Sequence, residues 1–190
     1  MKSLRIIVLA LCAVVLCAWF AAPPKKQEKI VWGERLLAWT DFKAKAPASS
    51  PNSAMSMVGV ESAFESDHAI ALIDIVSVFY PAQSWAKMQD TSQNLLQHEQ
   101  GHFDIVEIFA RKFRKKLLET NLTSKNIQQK YEQFFASMNT EKDKFQELYD
   151  KETNFSRNKE KQAQWNARIA QELTDLEQYN NTTLKITLQK

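Results

Sequence analysis

The chain has 190 residues, 44% hydrophobic and 11% aromatic, with 25 Lys and Arg against 22 Asp and Glu, a profile that suits a folded globular domain and excludes a disordered tail. Both cysteines, Cys12 and Cys17, stand near the N-terminus, so the body of the chain has no disulfide, no Cys-bearing zinc finger and no Cys nucleophile. His68, His98 and His102 are its whole supply of imidazole.

Met1 to Arg5 carries two positive charges and Ile6 to Ala22 is an unbroken apolar run, which reads as an export signal. Pro23 follows directly and no clean small-residue cleavage pattern precedes it. Residues 1–22 are therefore expected to be either a signal peptide or an uncleaved anchor, the second holding the protein at the inner membrane through residues 6–22. Either way the expected location is extracytoplasmic, periplasmic or secreted. Taking Lys2 and Arg5 from the 25 positive charges leaves 23 against 22. That near-neutral body carries no electrostatic footprint for nucleic acid. The local run Arg111, Lys112, Arg114, Lys115 and Lys116 is expected to be the solvated end of a helix.

All five prolines and all three glycines occur by residue 101, so a turn-punctuated first part precedes a second part rich in helix formers. Strands are expected over Lys29–Trp32, Leu36–Phe42, Met55–Phe64 and Ala69–Phe79, separated in part by a loop over Ala46–Asn52. Three helices follow. The first starts at an N-cap Thr91 or Ser92 and runs to about Glu119, with an apolar side at Leu95, His98, His102, Ile105, Val106, Phe109, Phe113 and Leu117. The second begins after Thr123 or Ser124 and carries Ile127, Tyr131, Phe134, Phe135, Met138, Phe145 and Leu148; the third covers about Asn158 to Tyr179. Thr182 to Leu188 can return as an edge strand. The expected class is α+β: a small antiparallel sheet from the N-terminal half packed on three long C-terminal helices, preceded by the signal or anchor helix.

Within the first helix lies His98-Glu99-Gln100-Gly101-His102. Residues four apart on a helix differ by about 40° around its axis, so both imidazoles project from one face and can chelate one zinc ion. Glu99 stands about 60° beyond His102, beside the metal without being a ligand, where it can act as base for water. A catalytic zinc usually has three protein ligands. Asp104 and Glu107 lie about 120° and 180° from His98, so the helix itself supplies no third. That leaves His68, which suits a surface turn, or a carboxylate from elsewhere. Gly101 costs about 1 kcal/mol in mid-helix, which suggests close approach by another backbone or by substrate.

The stretch Gln97-HEQGH-Phe103-Asp104-Ile105, with Leu37-Ala-Trp-Thr-Asp-Phe42, Ser84-Trp85, and Tyr149-Asp-Lys-Glu-Thr153 followed by Gln162 and Trp165, resembles a bacterial family of secreted proteins described as zinc-dependent proteases and long carried as a domain of unknown function. The resemblance spans about residues 30 to 178. It implies one zincin-like metallopeptidase domain over 23–190, acting on peptide or protein substrates, with His98 and His102 as Zn2+ ligands and Glu99 as general base. In that family a His commonly stands two residues after the Thr of the Y-D-x-x-T element, where this chain has Phe155. Asp150, Glu152 and His68 are the substitutes for a third ligand, and Tyr149 and Arg157 are neighbours able to stabilise an oxyanion. A second reading is a non-catalytic extracytoplasmic metal-binding or scaffold protein that has lost that ligand. A helical interaction module is a third, disfavoured by the lack of sustained heptads.

Overall fold

The computed structural model describes residues 28–189, and the expected signal or anchor over 1–22 lies outside them. Six strands, β1 (Ile30–Val31), β2 (Ala54–Met55), β3 (Val58–Ser66), β4 (Ile70–Phe79), β5 (Trp85–Ala86) and β6 (Thr183–Thr187), accompany three helices, α1 (Gln93–Leu118), α2 (Ile127–Thr153) and α3 (Lys159–Asp175). β4 is the centre of a four-stranded antiparallel sheet. It pairs with β3 along one side from Val58↔Phe79 to Ser66↔Ala71, and its other side is shared by β1 and β6. The sheet is antiparallel and the helices follow it in sequence, so the α+β class holds. Among the described residues no helix is long and apolar enough to cross a membrane.

Two of the expected strands differ in the structure. Leu36–Phe42 forms a short 3-10 turn at Trp39–Asp41, because the Asp41 carboxylate accepts from the Ala38 amide at 2.8 Å and from both terminal nitrogens of Arg35 at 2.6 and 2.7 Å. Those bonds curl the backbone while Leu37 and Phe42 still reach a small core with Ile30, Phe79 and Phe103. Met55–Phe64 is broken at Ser56–Met57. β2 pairs with β5, whereas β3 pairs with β4, and the Met57 amide donates to Ser84 Oγ at 2.8 Å between them.

Helix starts follow side-chain caps. Ser92 Oγ accepts from the Leu95 amide at 3.1 Å, and Asn158 Oδ1 accepts from the Lys161 amide at 3.1 Å, each satisfying a donor that the first turn leaves free. α1 lies between layers, against β3 and β4 on one side and against α2 and α3 on the other. Alternation in β4 turns Ala71, Ile73, Ile75 and Ser77 inward, where the apolar ones join Ile105, Ile108, Phe109, Phe113 and Leu117 of α1 in the main core.

Because α1 is covered on both sides, the basic run is not the solvated helix end expected from its composition. Arg111 is 3% exposed and Arg114 0%. The buried Glu107 carboxylate accepts from Arg111 Nε at 3.0 Å, from Arg114 Nη1 at 2.9 Å and from Ser77 Oγ at 2.8 Å. Arg114 continues to the carbonyls of Ile75 and Tyr179, and Arg111 to Glu177 and the Leu173 carbonyl. The network thus ties the sheet and the end of α3 to α1. Lys112, Lys115 and Lys116 remain at the surface side of the helix.

Where α1 meets α2, Gly101 faces the Tyr149 ring. A Cβ at residue 101 would lie 2.9 Å from Tyr149 Cζ and closer still to the hydroxyl. The close approach suggested by a mid-helix glycine is therefore made by a side chain, not by a backbone or a substrate. Tyr149 is fully buried and its hydroxyl is bonded on two sides, so it has little room to yield.

Glu107→Leu should destabilise the fold by about 3–5 kcal/mol in urea unfolding, since it leaves buried guanidinium groups without their shared counter-charge. Glu107→Leu combined with Arg114→Leu should recover part of that loss; a double variant no more stable than the single one would show that the pairing is not what matters. Gly101→Ala, although it favours a helix by about 1 kcal/mol intrinsically, should lower the melting temperature, and an unchanged or raised value would contradict the steric reading.

Candidate metal centre

Antiparallel packing of α1 on α2 sets His98 opposite Asp150 and His102 opposite Gln146, two i, i+4 pairs facing each other, and the same register carries on to Phe113 against Phe135. His98 Nε2 and His102 Nε2 are 3.2 Å apart, and each is 3.0 Å from Asp150 Oδ1. These three residues form a group able to hold a metal ion. Tetrahedral coordination with bonds of 2.0–2.1 Å separates neighbouring ligand atoms by about 3.3 Å, so the edges of this triangle fit a zinc-sized ion closely.

The outer partners fix how the imidazoles are used. His98 Nδ1 is 3.0 Å from Gln162 Oε1, and His102 Nδ1 lies against Gln146 Oε1. Gln162 is itself oriented, because its amide nitrogen donates to the Tyr149 hydroxyl at 2.6 Å and to Asn166 Oδ1 at 2.8 Å. The Tyr149 hydroxyl then donates to the His98 carbonyl at 3.2 Å. With amide oxygens accepting at both Nδ1 positions, each ring holds its proton on that side and turns the Nε2 lone pair inward. Two lone pairs and a carboxylate oxygen thus converge on one point. Burial opposes a charged His102, yet the Asp150 and Glu99 carboxylates outweigh it and raise its pKa above the ordinary value. Burial also opposes the Asp150 charge, and hydrogen bonds from the Nε2 protons that His102 and His98 carry when charged outweigh it, holding the carboxyl well below the usual range. The electrostatics of this junction favour a positive charge.

The remaining candidates separate cleanly. Glu99 is 3% exposed, and its Oε2 accepts from Ser56 Oγ at 2.6 Å; its other oxygen has no hydrogen-bond partner among the described residues. Glu99, His98, His102 and Asp150 all line one cleft of about 490 Å³, walled by residues 52–58 on one side and by parts of α1, α2 and the following turn. Arg157 lines this cleft, exposed and without an ion-pair partner among the described residues. Tyr149, in contrast, is committed to Gln162 and the His98 carbonyl and does not line the cleft, so the oxyanion role suggested for it is not supported by its position. His68 sits exposed in the turn between β3 and β4, and Glu152 is an exposed acceptor for Trp165 Nε1 at 2.8 Å. Of the three substitutes for a third ligand, only Asp150 is at the centre. Gln146 and Ser56 carry no recognisable sign of these roles in the sequence, and Gln162 stands out only as part of the family resemblance, with no role; the i, i+4 spacing of Gln146 and Asp150 is a further signal, and it becomes readable only once the helix register is known.

After α2 the chain makes an unusual turn. Asn154, Phe155 and Ser156 have φ of 49°, 51° and 70°, three successive left-handed residues without a glycine, at a cost on the order of 1 kcal/mol each. Phe155 lines the cleft but is not one of the residues of the metal group.

No curated protein and no solved structure matches the chain. Residues 80–159, which contain His98, Glu99, His102, Gln146 and Asp150 but not Ser56 or Gln162, match the model of a family described as a bacterial protein of unknown function, DUF922.

Proposed function

We propose that this chain is an exported zinc-dependent metallopeptidase that hydrolyses peptide bonds at the His98–His102–Asp150 group, with Glu99 as general base and then general acid. The observation that carries this reading is the convergence of two imidazole nitrogens and one carboxylate oxygen at 3.0–3.2 Å, in a cleft that Glu99 also lines. Two imidazoles with one carboxylate at tetrahedral spacing suit zinc. A zinc ion held there supplies a Lewis acid that brings the acidity of water near neutral pH and polarises a carbonyl.

The chain's own groups do the rest. Ser56 holds one oxygen of Glu99, leaving the other to take a proton from water and pass it to the departing amine. Arg157, without an ion-pair partner among the described residues, lines the cleft and is available to the negative charge that develops on the carbonyl oxygen. Export is supported by the basic flank and apolar run of residues 1–22, which makes the substrate an extracytoplasmic peptide or protein.

Metal analysis of the purified chain should give about one zinc per molecule, lost in His98→Ala and in Asp150→Ala. Glu99→Gln should keep zinc while cleavage of a denatured protein substrate falls by about 10²–10⁴-fold. Absence of bound zinc at saturating concentration, or cleavage unchanged in Glu99→Gln, would overturn the reading, and zinc binding without any cleavage would assign the scaffold alternative instead. Gln162→Leu should weaken zinc binding by about 10–100-fold in competition with a chelator; equal affinity would remove Gln162 from the centre.

A further inference from the structure

We infer that Phe155, presented by the strained turn after α2, builds an apolar recognition subsite in the cleft, selecting peptides with a large apolar side chain next to the bond that is cut. This rests on the metallopeptidase reading and adds the substrate class. The turn places Asn154, Phe155 and Ser156 in succession in the left-handed region. Asn tolerates that conformation, whereas an aromatic residue and a serine gain nothing from it locally.

The strain persists because three bonds hold it. The Phe155 amide donates to the carbonyl of Asp150 at 2.9 Å, the Asn158 amide to the Thr153 carbonyl at 2.8 Å, and Asn94 Nδ2 to the Ser156 carbonyl at 2.5 Å. The turn is thereby fastened both to the backbone of a metal-group residue and to the first turn of α1. Backbone strain held in place beside a reactive centre marks a position whose presentation matters. What this strain presents is the Phe155 ring, 44% exposed and lining the cleft.

Met57, 37% exposed, lines the same cleft, as do Val58 and Leu95. Aromatic and thioether side chains adapt to varied apolar partners, and a substrate side chain that covers them removes apolar surface from water. A charged or absent side chain has no such gain. The cleft therefore distinguishes leucine, phenylalanine or methionine from aspartate or glycine at the residue beside the metal group.

The test uses the zinc-loaded full chain and four peptide hydroxamates, identical except that the side chain next to the chelating group is that of leucine, phenylalanine, aspartate or glycine, with affinities read by calorimetry. The leucine and phenylalanine compounds should bind about tenfold or more tightly than the other two. In Phe155→Ala, checked for wild-type zinc content and melting temperature, that preference should shrink to about threefold or less, and Phe155→Leu should restore most of it. Equal affinities in the wild-type chain, or a preference that survives Phe155→Ala, would overturn the subsite. Should Phe155→Ala lose zinc, the wild-type series and Phe155→Leu still decide. Failure of all four compounds to bind a chain that holds zinc would instead sink the metallopeptidase reading, and the subsite with it.

Discussion

A helix packed on two flanks has little polar face to spare, and α1 is such a helix: the sheet lies on one flank and α2 with α3 on the other, leaving the side of Lys112, Lys115 and Lys116 to solvent. Every charged or polar side chain it carries inward must be paired within the protein, since an isolated buried charge costs several kcal/mol. Two clusters answer that demand in different ways. Toward the C-terminal half, Glu107 and Glu177 balance Arg111 and Arg114, a set of formal charge zero in which the buried Arg114 Nε is left without a hydrogen-bond partner among the described residues. Toward the N-terminal half, Glu99 and Asp150 stand with two imidazoles whose inward nitrogens are lone pairs. With both imidazoles neutral and both carboxylates charged, that set is two charges short of neutral, the deficit a divalent cation fills. Both clusters are buried ionic networks on one helix, but only one is closed. Charge balance is thus the physical distinction between the two halves of α1.

The same confinement explains Gly101. In a helix with one solvated flank, the residue beside a histidine pair could be almost anything. Here the space is taken by Tyr149, whose hydroxyl receives from Gln162 and donates to the His98 carbonyl. Burial pushes the pKa of that hydroxyl up, so it stays a donor. Tyr149 acts as a strut: it stacks on the His98 ring with centroids 4.6 Å apart, sets the helix separation, and orients the amide that fixes the imidazole tautomer. The glycine in the motif is thus accounted for by the close approach of Tyr149.

How much of this was legible in the sequence follows from the range of the interactions involved. Ser92 as one of two cap candidates, the three helices, the β4 strand and the His98–Glu99–His102 face are local patterns, and each can be read from spacing. The turn at Leu36–Phe42 was misread because the bonds that curl it, from Arg35 and Ala38 to Asp41, leave no periodic trace while the apolar residues imitate a strand. The basic run was misread for a different reason: residues 111–116 look like a solvated helix end unless one knows that a second layer covers it. Asp150 could be named as one of three substitutes for a ligand, but the choice among them depended on the antiparallel register of α1 on α2, which no single stretch of sequence encodes.

That dependence also bears on how the centre comes into being. Glu99 takes its hydrogen bond from Ser56 in the break between β2 and β3, His98 meets Asp150 from α2 and Gln162 from α3, and the turn after α2 is fastened to Asn94 at the start of α1. No fragment of the chain contains a complete site, so the convergence of lone pairs exists only when all these elements are docked. A cation that binds the converged atoms binds the folded arrangement and not its parts, and its binding free energy therefore adds to the stability of the packing that made the site. Without the ion, the same packing must hold two imidazole lone pairs against a carboxylate, which is unfavourable unless a proton intervenes. The fold supplies the energy to hold that arrangement from elsewhere, through the closed Glu107 network and the apolar layers on both flanks of α1. Stability around Glu107 in this sense supports the packing that brings His98, His102 and Asp150 together.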